Sequence, residues 1–196
     1  RLPGSGQVFQ VRASNSNIGS LSVKGVDLTT DYTFGLPDAV AFGGGADLTL
    51  MLNAGWLFER VSQLVGAQPI DCAGFFGSCT AQGANNGGSP DFKAILAASY
   101  NSGPLMVRTQ VRHMGGLDPL PAIAATTPVE AGSVTYVDFA TTVQVGEMLE
   151  LFGGFDNAFD EQPPLLTSSW GGDANTDVTL YDVIGRRYFV GVRARF

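Results

Sequence analysis

The stretch "GRRYFVGVRARF" (185–196) alternates along its length between two kinds of side chain. Because successive side chains on a β-strand point to opposite faces, the pattern predicts a strand with two unlike faces. The polar face would be largely cationic, with Arg187, Arg193 and Arg195 beside Phe189 and Gly191. The apolar face would carry Tyr188, Val190, Val192, Ala194 and Phe196.

The same period of two recurs along most of the chain, and a helical period of 3.6 is almost absent. Tight turns at 101–105 and 145–149 alternate with long connections at 61–89, 115–132 and 157–180. Short turns at one end and long loops at the other are typical of an antiparallel up-and-down transmembrane β-barrel. About eight strands are predicted, at 7–14, 21–34, 46–58, 91–101, 104–114, 134–145, 148–157 and 185–196.

Composition excludes two broad classes of protein. The chain has 196 residues and a formal net charge of -7, which argues against a nucleic-acid partner because phosphate binding needs clustered cations. Its longest apolar runs are far shorter than a membrane-spanning helix requires. The sequence opens on Arg1 without the features of a signal peptide, so we expect a processed start or a piece of a longer protein.

Aromatic residues favour a lipid-facing surface over the core of a soluble sandwich. They lie on the predicted apolar face, mostly near strand ends, with smaller aliphatic residues between them, as interfacial girdles require. A soluble sugar-binding sandwich remains the alternative outside the membrane. The aromatic residues concerned are Tyr32, Phe34, Trp56, Phe58, Phe92, Tyr100, Phe155 and Tyr188.

Two sequence blocks resemble the C-terminal end of TonB-dependent outer-membrane receptors. They are "GGFDNAFDEQPP" (153–164) and, after a long loop, "YDVIGRRYFVGVRARF" (181–196). Ala158 replaces the Leu that is usual in the family. The positions that match the family pattern are Asn157, Phe159, Asp160, Tyr181, Asp182, Gly185, Arg186, Tyr188, Phe189 and Phe196.

The resemblance implies that residues 1–196 are the C-terminal portion of the β-barrel domain, about a third of a barrel of about 22 strands. The plug domain, the TonB box and the preceding strands would be absent from this chain. The implied location is the outer membrane of a Gram-negative bacterium. The implied function is energy-coupled uptake of a scarce, bulky nutrient such as a siderophore or an oligosaccharide.

The implied partners are outer-membrane lipid, the missing plug domain, the TonB complex and the barrel assembly machinery. The assembly machinery would read a C-terminal signal formed by Tyr188, Val190, Val192, Ala194 and Phe196. Charged residues on the polar face would point into the lumen, where they would meet substrate and plug, or simply pair with one another. These lumen-facing candidates are Lys24, Asp27, Asp31, Asp47, Arg108, Arg112, Asp138, Glu150, Arg193 and Arg195.

Catalytic, metal and cofactor sites are not expected. Cys72 and Cys79 are the two cysteines, and in a protein exposed to the oxidising periplasm they are expected to form a local disulfide. The segment "DANTD" (173–177) starts like a calcium loop but lacks the later Gly and Glu, which favours a solvated turn. His113 is the single histidine and has no recognisable catalytic partner.

Two further possibilities compete with a receptor fragment. A self-contained barrel of about eight strands, with a structural or adhesive role, would pair the predicted strand 7–14 with the last strand. An outer-membrane barrel enzyme would need a Ser/His/Asp-type constellation, which a single histidine disfavours.

Overall fold

A computed structural model describes residues 19–77, 87–126, 129–166 and 173–195. The predicted strand 7–14, Cys79 and Phe196 lie outside the described residues. In the described ranges, no helix is both long enough and apolar enough to cross a membrane.

The chain forms an antiparallel up-and-down sheet, which confirms the predicted all-β fold class. Seven long strands pair in sequence order, and one short strand is added at the end of the second. A separate two-stranded parallel ladder joins Phe75–Phe76 to Asp118–Pro119. In chain order the strands are β1 (Gly19–Leu36), β2 (Ala46–Leu64), β3 (Ile70–Asp71), β4 (Phe75–Phe76), β5 (Phe92–Ser102), β6 (Leu105–Met114), β7 (Asp118–Pro119), β8 (Val134–Val145), β9 (Leu149–Asp156) and β10 (Arg187–Ala194).

The register keeps the two faces separate across the sheet. Paired residues of neighbouring strands lie on the same face, so a row of partners can be followed from strand to strand. One apolar row runs Leu52, Leu96, Val111 and Val137. A polar row displaced by one residue runs Asn53, Ile95, Arg112 and Tyr136. The predicted alternation is therefore correct in each of these strands.

The first two strands are longer than the pattern predicts. β2 continues six residues past Phe58, and β1 starts at Gly19. The register shifts between Lys24, which pairs with Glu59, and Gly25, which pairs with Leu57. This β-bulge leaves Phe58 without a partner and changes which residues share a face beyond it. A strict period-two pattern breaks at such a bulge, so the continuation of the strand is not visible in the alternation.

The predicted tight turns are confirmed at one end of the sheet. Gly103 and Gly146 have φ angles of 52° and 63°, a left-handed conformation that suits glycine. The β1–β2 connection lies at the same end, where the backbone N–H of Phe42 donates to Ser102 Oγ over 2.7 Å. The Tyr100 hydroxyl donates to the carbonyl of Val40 in that connection.

Long connections pack together at the other end into what we call the loop cap: residues 65–77 and 87–91, 115–126 and 129–133, and 157–166 and 173–186. Many of the buried apolar side chains lie here. Two small clusters are formed by Phe76, Leu117, Ala131 and Leu166 and by Cys72 and Leu120. The short helix α1 (Pro121–Ala124) belongs to the same layer. The main hydrophobic core is therefore in the loops and not on the sheet's apolar face.

Two phenylalanines on the polar face lie over glycines of the neighbouring strand. Phe189 is paired with Gly154, and a Cβ on that glycine would lie 2.7 Å from the Phe189 ring. Phe152 is paired with Gly191, where a Cβ would lie 2.2 Å from the ring. Aromatic cover of this kind compensates for the missing glycine side chain. It explains an aromatic residue at position 189, on a face where polar residues dominate.

Tyr181 gives the loop cap a pH dependence. The residue is 4% exposed, and its hydroxyl has no hydrogen-bond partner among the described residues. Burial, followed by the nearby charge of Asp177, raises the pKa of Tyr181 to about 12. The folded chain holds the phenol neutral at a pH where the unfolded chain releases its proton. Titration of Tyr181 should therefore leave the free energy of unfolding unchanged below pH 10 and lower it by about 2 to 3 kcal/mol between pH 10 and pH 12.

Denaturant unfolding in detergent at pH 9 and at pH 12 measures this loss. Tyr181→Phe removes the titrating group and should abolish most of the difference, while the stability at pH 9 stays equal or rises slightly. An unchanged difference in Tyr181→Phe would assign the pH dependence to other residues.

Candidate functional site

The apolar face of the sheet is uncovered within the described chain. Side chains such as Leu96 (47% exposed), Leu151 and Val190 (89% exposed) have water-accessible surface although they form continuous apolar rows. In a β-sandwich a second sheet would cover such rows. An apolar face of this extent is a candidate surface for contact with lipid or with another protein.

Aromatic side chains form rims at both ends of this face. At the loop-cap end the ring centroids of Trp56 and Phe92 lie 5.2 Å apart, and those of Phe155 and Tyr188 lie 5.3 Å apart. At the other end Tyr32 and Phe34 stack with centroids 5.9 Å apart.

The rims are spaced as a membrane requires. Trp56 belongs to the loop-cap rim, and Leu48 on the same strand pairs with Phe34 of the other rim. The two residues are eight positions apart on β2, a rise of about 27 Å along the strand. For a strand tilted by about 40° this gives about 21 Å along the membrane normal, close to the apolar band of outer-membrane barrels.

His113 belongs to the loop-cap rim. It lies on the apolar face near the end of β6, with its ring centroid 5.8 Å from that of Phe92. Its Nδ1 is 2.8 Å from Thr135 Oγ1 on the neighbouring strand. These contacts are those of a residue packed near the loop-cap end of an interior strand.

The polar face carries a bidentate ion pair between β6 and β8. Arg112 Nε donates to Asp138 Oδ2 over 2.7 Å, and Arg112 Nη2 donates to Oδ1 over 3.1 Å. The backbone N–H of Asn157 also donates to Asp138 Oδ1, over 2.9 Å. The Arg112 guanidinium lies 5.1 Å from the centre of the Tyr136 ring. The pair thus connects two strands to the start of the β9–β10 connection.

The other predicted lumen-facing charged residues differ in their bonding: some form ion pairs or hydrogen bonds with side chains, and others take part in no ion pair among the described residues. Arg193 is paired with Glu150 across β10 and β9. Asp47 accepts from Asn101 Nδ2 over 3.2 Å, and Arg108 donates to Ser99 Oγ over 3.2 Å. In the described ranges Asp27 and Asp31 are on the same face and take part in no ion pair, and Arg195 follows β10 with its backbone N–H bonded to Met148. Whether this face borders a lumen remains a prediction.

The prediction for Lys24 is wrong. Lys24 lies beyond the β-bulge and pairs with Glu59, to which its ammonium group is also bonded. Alternation along β1 places Lys24 on the face of Val26, opposite to Asp27 and Asp31. It therefore lies past the aromatic rim on the apolar side of the sheet, where an exposed ion pair is tolerated.

The two blocks that carry the family resemblance contact each other at the loop-cap end. The backbone N–H of Arg186 donates to Asp160 Oδ1 over 2.9 Å, and Gly185 packs so closely that a Cβ would lie 2.7 Å from the same oxygen. The Asn157 side chain bonds both the N–H and the carbonyl of Glu161, which fixes the turn after β9. These contacts explain why Asn157, Asp160 and Gly185 stand at their positions in the two blocks.

Asp182 holds the second block against the sheet. Its backbone N–H donates to the Tyr136 hydroxyl over 3.1 Å, and its carboxylate accepts from Arg187 Nη1 over 3.1 Å. The carboxylate also accepts from the backbone N–H of Ile184. The start of β10 is therefore positioned by contacts to β8 and by its own turn.

Two loop predictions have different outcomes. Cys72 is buried and is not a free thiol, while Cys79 lies outside the described residues, so the pairing stays a prediction. The solvated-turn interpretation of residues 173–177 is wrong for Asp177, which is buried. Its carboxylate accepts from the N–H of Gly88 over 2.8 Å and from Thr179, so it connects two long loops.

A pocket of about 780 Å³ opens on the polar face, between β1, β2, β5 and residues 87–90 of the loop cap. Its charged lining residues are Asp27, Arg60 and Lys93. Thr29 and Asn53 line it as well and are bonded to each other over 2.9 Å. Of these three charged residues only Asp27 was predicted from the sequence, because Arg60 and Lys93 reach this position only through strand pairing.

Comparison with known proteins gives a distant structural similarity. No protein-family model matches the chain, and no curated protein matches it in sequence. Among solved structures, the chain is similar to one described as "Copper transporter OprC", at 15% sequence identity with a TM-score of 0.38. That match covers 87% of this chain and 31% of the other, so this chain spans about a third of the length of the protein to which it is similar.

Proposed function

We propose that this chain forms part of the wall of an outer-membrane β-barrel that imports a bulky nutrient in a TonB-dependent manner. The observation that carries the proposal is the uncovered apolar face, with in-register aliphatic rows between two aromatic rims. The opposite face bears charges and a pocket, and a layer of packed loops lies at one end. Lipid on one face and an aqueous interior on the other account for this asymmetry.

The free edges of the described sheet require further strands if the sheet lies in lipid. In hydrocarbon every backbone polar group needs a partner, so the free edges of β1 and β10 require further strands. Because seven antiparallel strands are described, β1 and β10 run in the same direction. Antiparallel closure then needs an odd number of additional strands, and fifteen more would give a barrel of about 22. The polar face would contact the plug domain, and the TonB complex would act through the missing part.

A self-contained eight-stranded barrel is the second candidate. One further strand running opposite to β1 and β10 would satisfy the same rule, and residues 7–14 are predicted to be a strand. In either case the apolar residues of β10 would serve the barrel assembly machinery. Tyr188, Val190 and Val192 lie exposed on one face of that strand.

Refolding of residues 1–196 with detergent and lipid vesicles tests both candidates. The measurement is heat-modifiable gel mobility together with circular dichroism. A resistant, fast-migrating β-rich species formed by the chain alone supports the small barrel, and one formed only when upstream sequence is supplied supports the larger barrel. A β-rich chain that remains in the aqueous phase and does not insert into lipid, either alone or with upstream sequence, contradicts both candidates.

A further inference from the structure

We propose that the polar-face pocket binds an anionic, hydroxyl-rich unit of the imported nutrient, of the size of a sugar acid. This inference deepens the proposed function, on which it rests, because it names the substrate class that the barrel wall would recognise. Three observations support it: the shape of the pocket, the positions of its charged side chains, and the hydrogen-bond donors and acceptors that its lining offers.

The shape of the pocket depends on glycine at position 55. Gly55 is paired with Asp27 on one side and with Lys93 on the other, so the three residues form one row across β1, β2 and β5. A Cβ at Gly55 would lie 2.8 Å from Asp27 Oδ1. The missing side chain leaves a depression over Gly55, which the Asp27 carboxylate partly fills. Two strand spacings separate the backbones of Asp27 and Lys93 by about 10 Å.

The two cationic side chains of the pocket take part in no ion pair among the described residues. Lys24, Arg112 and Arg193 are each in an ion pair. By contrast, Lys93 and Arg60 take part in none within the described ranges. Arg60 is held by a hydrogen bond from its Nη1 to Ser89 Oγ over 2.6 Å, and Ser89 is buried in the loop cap.

The balance of these charges selects the class of ligand. Two cationic side chains and one carboxylate line the pocket, so an anionic group is favoured near Lys93 and Arg60. Asp27 is an acceptor for hydroxyl groups. Asn53 accepts from Thr29 through its carbonyl oxygen, which leaves its amide N–H groups available as donors. A volume of about 780 Å³ is within the usual range of small-molecule pockets.

Glucuronate and glucose are suitable probes because they differ by a carboxylate in place of a hydroxymethyl group. The dissociation constants of both are measured by saturation-transfer NMR on the refolded full chain in detergent. Glucuronate should bind at least about tenfold more tightly than glucose, since the carboxylate forms charge-assisted bonds. Lys93→Gln should weaken glucuronate binding by about tenfold. Gly55→Leu, which fills the depression, should weaken it further.

Lys24 provides the matched control, because the chain has two lysines and they lie on opposite faces. Lys24→Gln should leave glucuronate binding unchanged. Equal affinity for the two sugars, absence of binding, or an unchanged affinity in Lys93→Gln would overturn the inference. Insertion into lipid is scored on the same preparation, so a chain that inserts but does not bind contradicts the pocket alone. A chain that binds but inserts neither alone nor with upstream sequence contradicts the proposed function alone.

Discussion

Leu96→Arg is expected to lower the stability of the lipid-inserted sheet by about 2 to 4 kcal/mol. Leu96 lies on the apolar face of β5, between Leu52 on β2 and Val111 on β6, and midway between the two aromatic rims. An arginine there would place its charge in hydrocarbon, where neither water nor a carboxylate is available. The measurement is the denaturant midpoint of the inserted form in lipid vesicles.

Ile95→Arg is the matched control on the same strand. Ile95 is 40% exposed, against 47% for Leu96, but it lies on the polar face. If that face borders water, an arginine there should cost less than about 0.5 kcal/mol. In a sheet with water on both faces the two similarly exposed positions would respond alike. Equal effects of the two substitutions would therefore contradict a lipid-facing surface.

The second large effect is expected for Asp138→Ala, which should cost about 3 kcal/mol. The substitution leaves the half-buried Arg112 guanidinium without its carboxylate and removes the acceptor of the Asn157 N–H. Asn157 is fully buried, so that donor has no access to water. We expect the contact between β8 and the β9–β10 connection to loosen first. Denaturant unfolding of the refolded chain measures the cost.

Asp31→Ala is the control for that substitution. Asp31 is an aspartate of the same face but is exposed and has no ion pair in the described part of the chain. Its replacement should change the free energy of unfolding by less than about 0.5 kcal/mol. A loss at Asp31 as large as that at Asp138 would show that net charge, and not the bonded network, determines the effect.

Local alternation made the central strands predictable from sequence. β6 occupies 105–114 against a predicted 104–114, and β8 occupies 134–145 as predicted. Each residue's face depends only on its parity within the strand, so the pattern is visible without knowledge of the partner strands. The paired motif blocks also contained real information, because Asp160 and Arg186 contact each other.

Contacts between residues distant in sequence were not predictable in this way. The bulge at Phe58 depends on how β1 meets β2, so the faces of the β2 residues beyond it could not be read from one strand. The ladder of β4 and β7 is two residues long in each strand, too short for a periodic signal. Asp177 is buried by a loop about ninety residues away, since it binds Gly88. The pocket likewise exists only once three strands are paired.

A tryptophan scan of β5 in vesicles of brominated lipid tests the central claim most directly. Single tryptophans are placed at Ile95, Leu96, Ala98 and Ser99 in a chain whose own Trp56 and Trp170 are replaced by phenylalanine. Brominated acyl chains quench indole fluorescence on contact. If the apolar face meets lipid, quenching should be strong at positions 96 and 98 and weak at 95 and 99. Uniform quenching, or quenching that is strongest at 95 and 99, would contradict a membrane-facing role for this side of the sheet.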